Sequence, residues 1–101
     1  MTINSNLSSI NAHQSLLNSS AHNIANSNTD NFSRLETTIT EKGINSVEAV
    51  DEKIPNDNIY SNTDMVKEMS NQILSYHAVG ANSVAVKTQN ETADTILDIY
   101  A

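Results

Sequence analysis

Ile3, Ile10, Leu17 and Ile24 recur every seven residues, and Leu7, Gln14 and Ala21 fill the interleaved positions. This alternating four-three spacing is an a/d seam, the pattern of a helix that packs along another helix. It predicts a first helix over 2–26, with Gln14 the one large polar residue on the seam and Leu16 widening the stripe. Most of the remaining positions are Asn and Ser, which are poor helix-interior residues because their side chains compete for backbone hydrogen bonds. A strong pattern on weak propensity describes a helix that frays alone and is held by packing on a partner.

The charge distribution narrows the partner. No Asp, Glu, Lys or Arg occurs before Asp30, while the whole chain carries a net charge of −7. An acidic chain without a basic footprint does not suit DNA or RNA, nor an anionic membrane surface. A long uncharged face suits burial against other protein. With 101 residues, 38% of them hydrophobic and 4% aromatic, the chain makes one domain (1–101) with a limited core, so part of its stability is expected from partners. No Cys is present, which removes disulfide and thiolate chemistry. No apolar run has membrane-spanning length, so no membrane insertion is expected. No cleaved signal is expected either, so passage out of the cytoplasm would need a route without one.

The first helix runs into a cluster of turn formers, Ser27, Asn28, Thr29, Asp30 and Asn31, followed by Phe32, the only Phe in the chain. Asn23, Asn26, Asn28 and Thr29 read as the set that ends the helix and directs Phe32 back onto a second helix. The middle span, 27–61, is irregular or a β-hairpin. Leu35, Thr37 and Ile39 alternate with Glu36, Thr38 and Thr40, Lys42-Gly43 is the turn candidate, and 46–50 is the return strand. Pro55 and its Asn/Asp neighbours break the chain before the second helix, expected from Asn62 or Thr63 to Tyr100, with Asn62, Thr63 and Asp64 as candidate caps. Val66, Met69, Ile73 and Tyr76 begin its stripe. Val79, Val86, Ala93, Leu97 and Tyr100 continue it after a register shift near Gly80, where a bend is possible. The fold class expected is mainly α: two long terminal helices in an antiparallel, coiled-coil-like hairpin, with the short middle span capping one end.

Catalytic chemistry has no constellation here. His13 and His22 are nine residues apart and so point from opposite faces of one helix. His77 with Asp64 or Glu68 lacks metal-ligand spacing. Gly43 and Gly80 are too far apart for a phosphate-binding loop, and Ser8, Ser9, Ser19 and Ser20 have no positioned base. No catalytic, metal or cofactor-binding residue is expected, and no cofactor.

The stretch from Asn11 to Arg34, NAHQSLLNSSAHNIANSNTDNFSR, resembles the N-terminal signature of the bacterial flagellar axial proteins (rod, hook and hook-associated families). In that signature an apolar heptad helix runs into Asn-Ile-Ala-Asn, here Asn23 to Asn26, then Asn-Thr, here Asn28 and Thr29, then an aromatic, here Phe32. The matching C-terminal signature resembles Asp64-Met65-Val66-Lys67-Glu68-Met69, then Asn71, Ile73, Ala81-Asn82-Ser83 and Lys87-Thr88. Asp30-Asn31 stands where the family has Pro-Gly, a turn that Asn can keep because it tolerates left-handed backbone. His77-Ala78-Val79 departs from the family's Arg, small residue, aromatic. The short middle span makes the chain look like a proximal rod protein or a reduced relative of one.

The resemblance implies a structural subunit of the basal-body rod, exported unfolded by the flagellar apparatus and assembled through its terminal helices into a helical tube in the periplasm. Its partners would be other rod proteins, copies of itself and the export apparatus. The expected interface is Ile3, Leu7, Ile10, Leu17, Ile24, Asn23, Asn26, Asn28 and Phe32 from the first half, with Val66, Met69, Ile73, Tyr76, Val86, Leu97 and Tyr100 from the second. The alternative is a soluble helical adaptor or export-associated binding protein of the same system.

Overall fold

The computed structural model describes residues 3–100. The chain is mainly helical, with two helices and a small two-stranded antiparallel sheet between them: α1 (Ile3–Ala25), β1 (Leu35–Gly43), β2 (Ser46–Lys53) and α2 (Met65–Tyr100). The molecule is elongated, 66 × 24 × 14 Å, its length set by the 36 residues of α2.

The helices run antiparallel, and side-chain hydrogen bonds mark the stagger. Asn6 Nδ2 donates to Gln89 Oε1 at 3.2 Å, Asn82 Nδ2 to Ser9 Oγ at 3.1 Å, Gln72 Nε2 to the Leu17 carbonyl at 3.3 Å, and Ser20 Oγ to the Glu68 carbonyl at 3.0 Å. The side of α1 toward α2 is therefore Asn6, Ser9, His13, Leu16, Ser20 and Asn23, itself spaced three and four apart. The facing residues of α2, Glu68, Ser75, Asn82 and Gln89, recur every seven. Within the chain the helices meet mainly through this polar, small-residue seam, with Leu16 buried in it from α1. Small Ser side chains let the helices approach closely, and amide side chains replace apolar packing with hydrogen bonds.

The hairpin covers a second side of α1. Ser8 Oγ donates to the Val47 carbonyl and accepts from the Val47 amide, both at 2.7 Å, and Ser19 Oγ donates to Asp51 Oδ1 at 3.3 Å. β2 thus runs along α1 in the same direction. Among the described residues only Ala12 and Leu16 are buried apolar residues, against seven buried polar ones: Ser5, Asn6, Ser19, Ser20, Asn23, Glu68 and Ser75.

Boundaries differ locally from the sequence reading. Both strands are longer than expected. The hairpin turns at Ile44-Asn45 rather than Lys42-Gly43, because Asn45 supplies the left-handed residue (φ 58°) and Lys42 is the extra residue where the register shifts between Glu41 and Gly43. α2 begins at Met65, capped by Asp64, whose Oδ1 accepts the amides of Val66 (3.1 Å) and Lys67 (3.2 Å). Asn62 does not cap it, because its side chain is engaged elsewhere. α2 passes through Gly80 as unbroken helix. Thr2, expected at the start of α1, lies outside the described residues.

Candidate assembly surface and its supporting junction

The junction after α1 is organised by carboxamides. Asn23 is 1% exposed. Its Nδ2 donates to the Leu35 carbonyl (2.7 Å) and to Glu68 Oε1 (3.1 Å), its Oδ1 accepts the Leu35 amide (2.9 Å), and its carbonyl accepts from Thr63 Oγ1 (3.2 Å). One side chain thus ties the end of α1 to the start of β1 and the first turn of α2. Asn62 repeats the device: Oδ1 accepts the Arg34 amide (2.7 Å), Nδ2 donates to the Ile54 carbonyl (3.2 Å), and its own amide donates to the Phe32 carbonyl (3.3 Å). Asn56 Nδ2 donates to the same Phe32 carbonyl at 2.9 Å.

The turn has the backbone expected of it. Asn31 is left-handed, with φ 58°. Asn26 Nδ2 donates to the His22 carbonyl at 2.9 Å and its Oδ1 accepts from Thr29 Oγ1 at 3.0 Å, which closes the last turn of α1. Phe32 returns to the first helix: its ring edge meets His22 with centroids 5.4 Å apart, where an anchor on the second helix was expected. Asn28 is exposed. Asn23 is consumed inside the chain, so it supports the surface without lying on it.

Glu68 is 2% exposed, with Oε1 held by Asn23. Glu68 and Arg34 both face a cavity of about 300 Å³ between the helices and the hairpin, with Leu16, Leu35 and Leu74 among its walls. At its edge Lys67 Nζ donates to Glu36 Oε1, while Arg34 stands 3.9 Å from the other Glu36 oxygen. That lysine, through its hydrogen bond and its charge, holds the Glu36 carboxyl below the usual glutamate range.

The apolar heptads face the other way. At about 100° per residue, Ile3, Leu7, Ile10, Leu17 and Ile24 form a stripe on the side of α1 away from the hairpin, along the flank of its α2-facing side. On α2 the stripe Val66, Met69, Ile73 and Tyr76 lies on the same side of the helix pair, opposite Lys67, which reaches the hairpin. Leu7, Val66, Met69, Ile73 and Tyr76 are exposed, whereas Ile3, Ile10, Leu17 and Ile24 are half-buried. Between the two stripes runs a shallow groove lined by Gln14, Leu17, Tyr76, Val79 and Gly80. The register shift near Gly80 now has a meaning. The first half of the α2 stripe faces outward, and Val79 and Val86 belong to the α1-facing seam, half-buried there. Leu97 and Tyr100 continue that seam past α1 and are exposed.

The histidines have local partners. His13 Nδ1 lies 2.8 Å from the Ser9 carbonyl, and His77 meets the ring of Tyr76 edge-on. Among the described residues no three His, Asp or Glu side chains gather as a metal site, and no helix is long and apolar enough to cross a membrane. No family model matches the chain, and no curated protein matches it.

Sequence reasoning named Asn62 only as a candidate helix cap and Glu68 only within the C-terminal signature and beside His77, and it missed Asn56. Asn62 and Asn56 sit among the turn formers around Pro55, which marks a loop without saying which amide it ties.

Proposed function

We propose that this chain is a structural subunit of the flagellar basal-body rod, which assembles with copies of itself and with other rod proteins into a helical axial tube in the periplasm. The observation that carries the reading is the apolar face on one side of both helices. A chain of net charge −7 keeps that side of α1 free of Asp, Glu, Lys and Arg, which is the condition for neighbours to pack there without burying charge. The heptad spacing of Ile3 to Ile24 suits coiled-coil-like packing against helices of neighbouring subunits. The hairpin and the carboxamide junction hold the two helices so that their apolar stripes form one surface. The resemblance of both ends of the chain to axial-protein signatures supplies the biological setting, including export by the flagellar apparatus without a cleaved signal.

The test is an immunoblot for this chain on washed, purified basal bodies beside cytosol from the same cells. Detection in basal bodies is the expected result. Presence in cytosol alone overturns the axial reading and favours the soluble adaptor.

A further inference from the structure

The seam between the helices continues past the end of α1. The bonds from Asn6 to Gln89 and from Asn82 to Ser9 mark the stagger and put Ile3 level with residues 88–92. Beyond that point the α1-facing side of α2 continues as Ala93, Ile96, Leu97 and Tyr100, and residues 91–100 are all exposed. The seam changes character here, from the polar series Glu68, Ser75, Asn82 and Gln89 to an apolar one. Leu97 is 66% exposed and Tyr100 86%. Glu91, Asp94 and Asp98 project from the opposite side of the helix, so the apolar strip itself carries no charge.

We propose that this strip is closed by the same segment of a second copy, running antiparallel about a two-fold axis near Ile96 and Leu97. The strip is its own complement under reversal. Residue 93 falls opposite 100 and 96 opposite 97, so small Ala93 meets large Tyr100 while Ile96 meets Leu97. That is the size matching that interdigitated packing requires. A self-complementary patch makes an isologous, closed contact. It also extends an existing interface, since the partner's helix takes the line that α1 occupies along the rest of α2. The contact is four side chains from each copy, smaller than a standard stable interface, so the dimer is weak and depends on concentration. Each copy carries a net charge of −7 and no Lys or Arg after Lys87, so two copies repel one another. Added salt therefore tightens the pairing. A basic helix from another protein on the same strip would bind more weakly as salt rises.

A two-fold pair joins copies in opposite directions, whereas a tube repeats one direction. The pairing therefore belongs to the chain outside the assembled axis and does not depend on the axial reading. The native chain has no Cys, so a single introduced thiol reports position without ambiguity. Leu97→Cys and Asp98→Cys full-length chains are each treated with a short bis-maleimide. Leu97→Cys is expected to give covalent dimer in a yield that rises with protein and salt concentration, while Asp98→Cys stays monomeric. Leu97→Glu should weaken the dimer at least tenfold by sedimentation equilibrium, with the circular dichroism unchanged. A chain monomeric up to about 1 mM overturns the proposal. So does equal cross-linking at 97 and 98, cross-linking through Ile73→Cys but not Leu97→Cys, or dissociation by salt. Basal-body fractionation reads the axial proposal separately.

Discussion

Asn23 and Glu68 meet side chain to side chain inside the protein, Nδ2 to Oε1 at 3.1 Å, and both are almost fully buried. The contact joins the last turns of α1 to the first turn of α2. The same amide also holds both backbone groups of Leu35, so three elements converge on one residue.

Asn23→Ala should therefore be among the most damaging single substitutions. It strands the Leu35 amide and carbonyl and one Glu68 oxygen, and each buried polar group left unpaired costs about 1–3 kcal/mol. A loss of about 2–4 kcal/mol in urea unfolding is expected. Asn28→Ala, at an exposed position, should stay within about 0.5 kcal/mol of the parent. Equal effects at the two sites would remove the central role given to Asn23.

The turn depends on left-handed backbone at Asn31. A β-branched side chain there is strained by about 1–2 kcal/mol, whereas Gly is tolerated. Thermal unfolding should rank Asn31→Gly near or above the parent and Asn31→Val below it. Asn45, with the same φ in the hairpin turn, should show the same ranking.

Glu36 is the partner of Lys67, and its carboxyl is held below the ordinary value of 4.5. A carboxyl depressed in the folded state adds stability that is present above the ordinary value and is lost as pH falls through the folded one. The tether between β1 and α2 should thus weaken only below about pH 4.5. Glu36→Gln should flatten that part of the stability-against-pH curve by removing the small contribution that the pair makes at neutral pH. An unchanged acid limb in the variant would refute the assignment.

Ile73 is 61% exposed on the outward stripe. Ile73→Glu should leave the circular dichroism and melting temperature of the free chain close to the parent, because it removes little buried area. In cells the same variant should abolish recovery of the chain in basal bodies and impair motility, since a charge cannot be buried in an apolar contact cheaply. Normal incorporation would show that the stripe is not the assembly surface. Leu16→Ala, at a buried position, should do the reverse in the test tube and destabilise by about 2–4 kcal/mol.

Much of the architecture was legible in the residues. The 3.5-residue spacing announced α1, the alternation after Leu35 announced β1, and the Asx and Ser cluster around Asn28 announced the turn, because each is a local preference written in consecutive side chains. The left-handed Asn31 came from the resemblance, in which Asn31 stands where the family has Gly. What periodicity could not decide was which stripe faces inward. α1 carries two heptad series, one apolar from Ile3 to Ile24 and one polar from Asn6 to Asn23. Burial was expected of the first, yet the second lies against α2. The choice rests on partners distant in sequence: Asn6 with Gln89, Ser9 with Asn82, Ser20 and Asn23 with Glu68, and Ser8 and Ser19 with β2. Hydrogen-bond complementarity of that kind exists only once the elements are brought together. The sequence by itself determined the elements, the turn and the presence of an apolar stripe. Only the tertiary structure decided that the stripe lies at the flank of the helix pair, half-buried except at Leu7, because the polar seam takes the side toward α2 and the hairpin the side opposite the stripe.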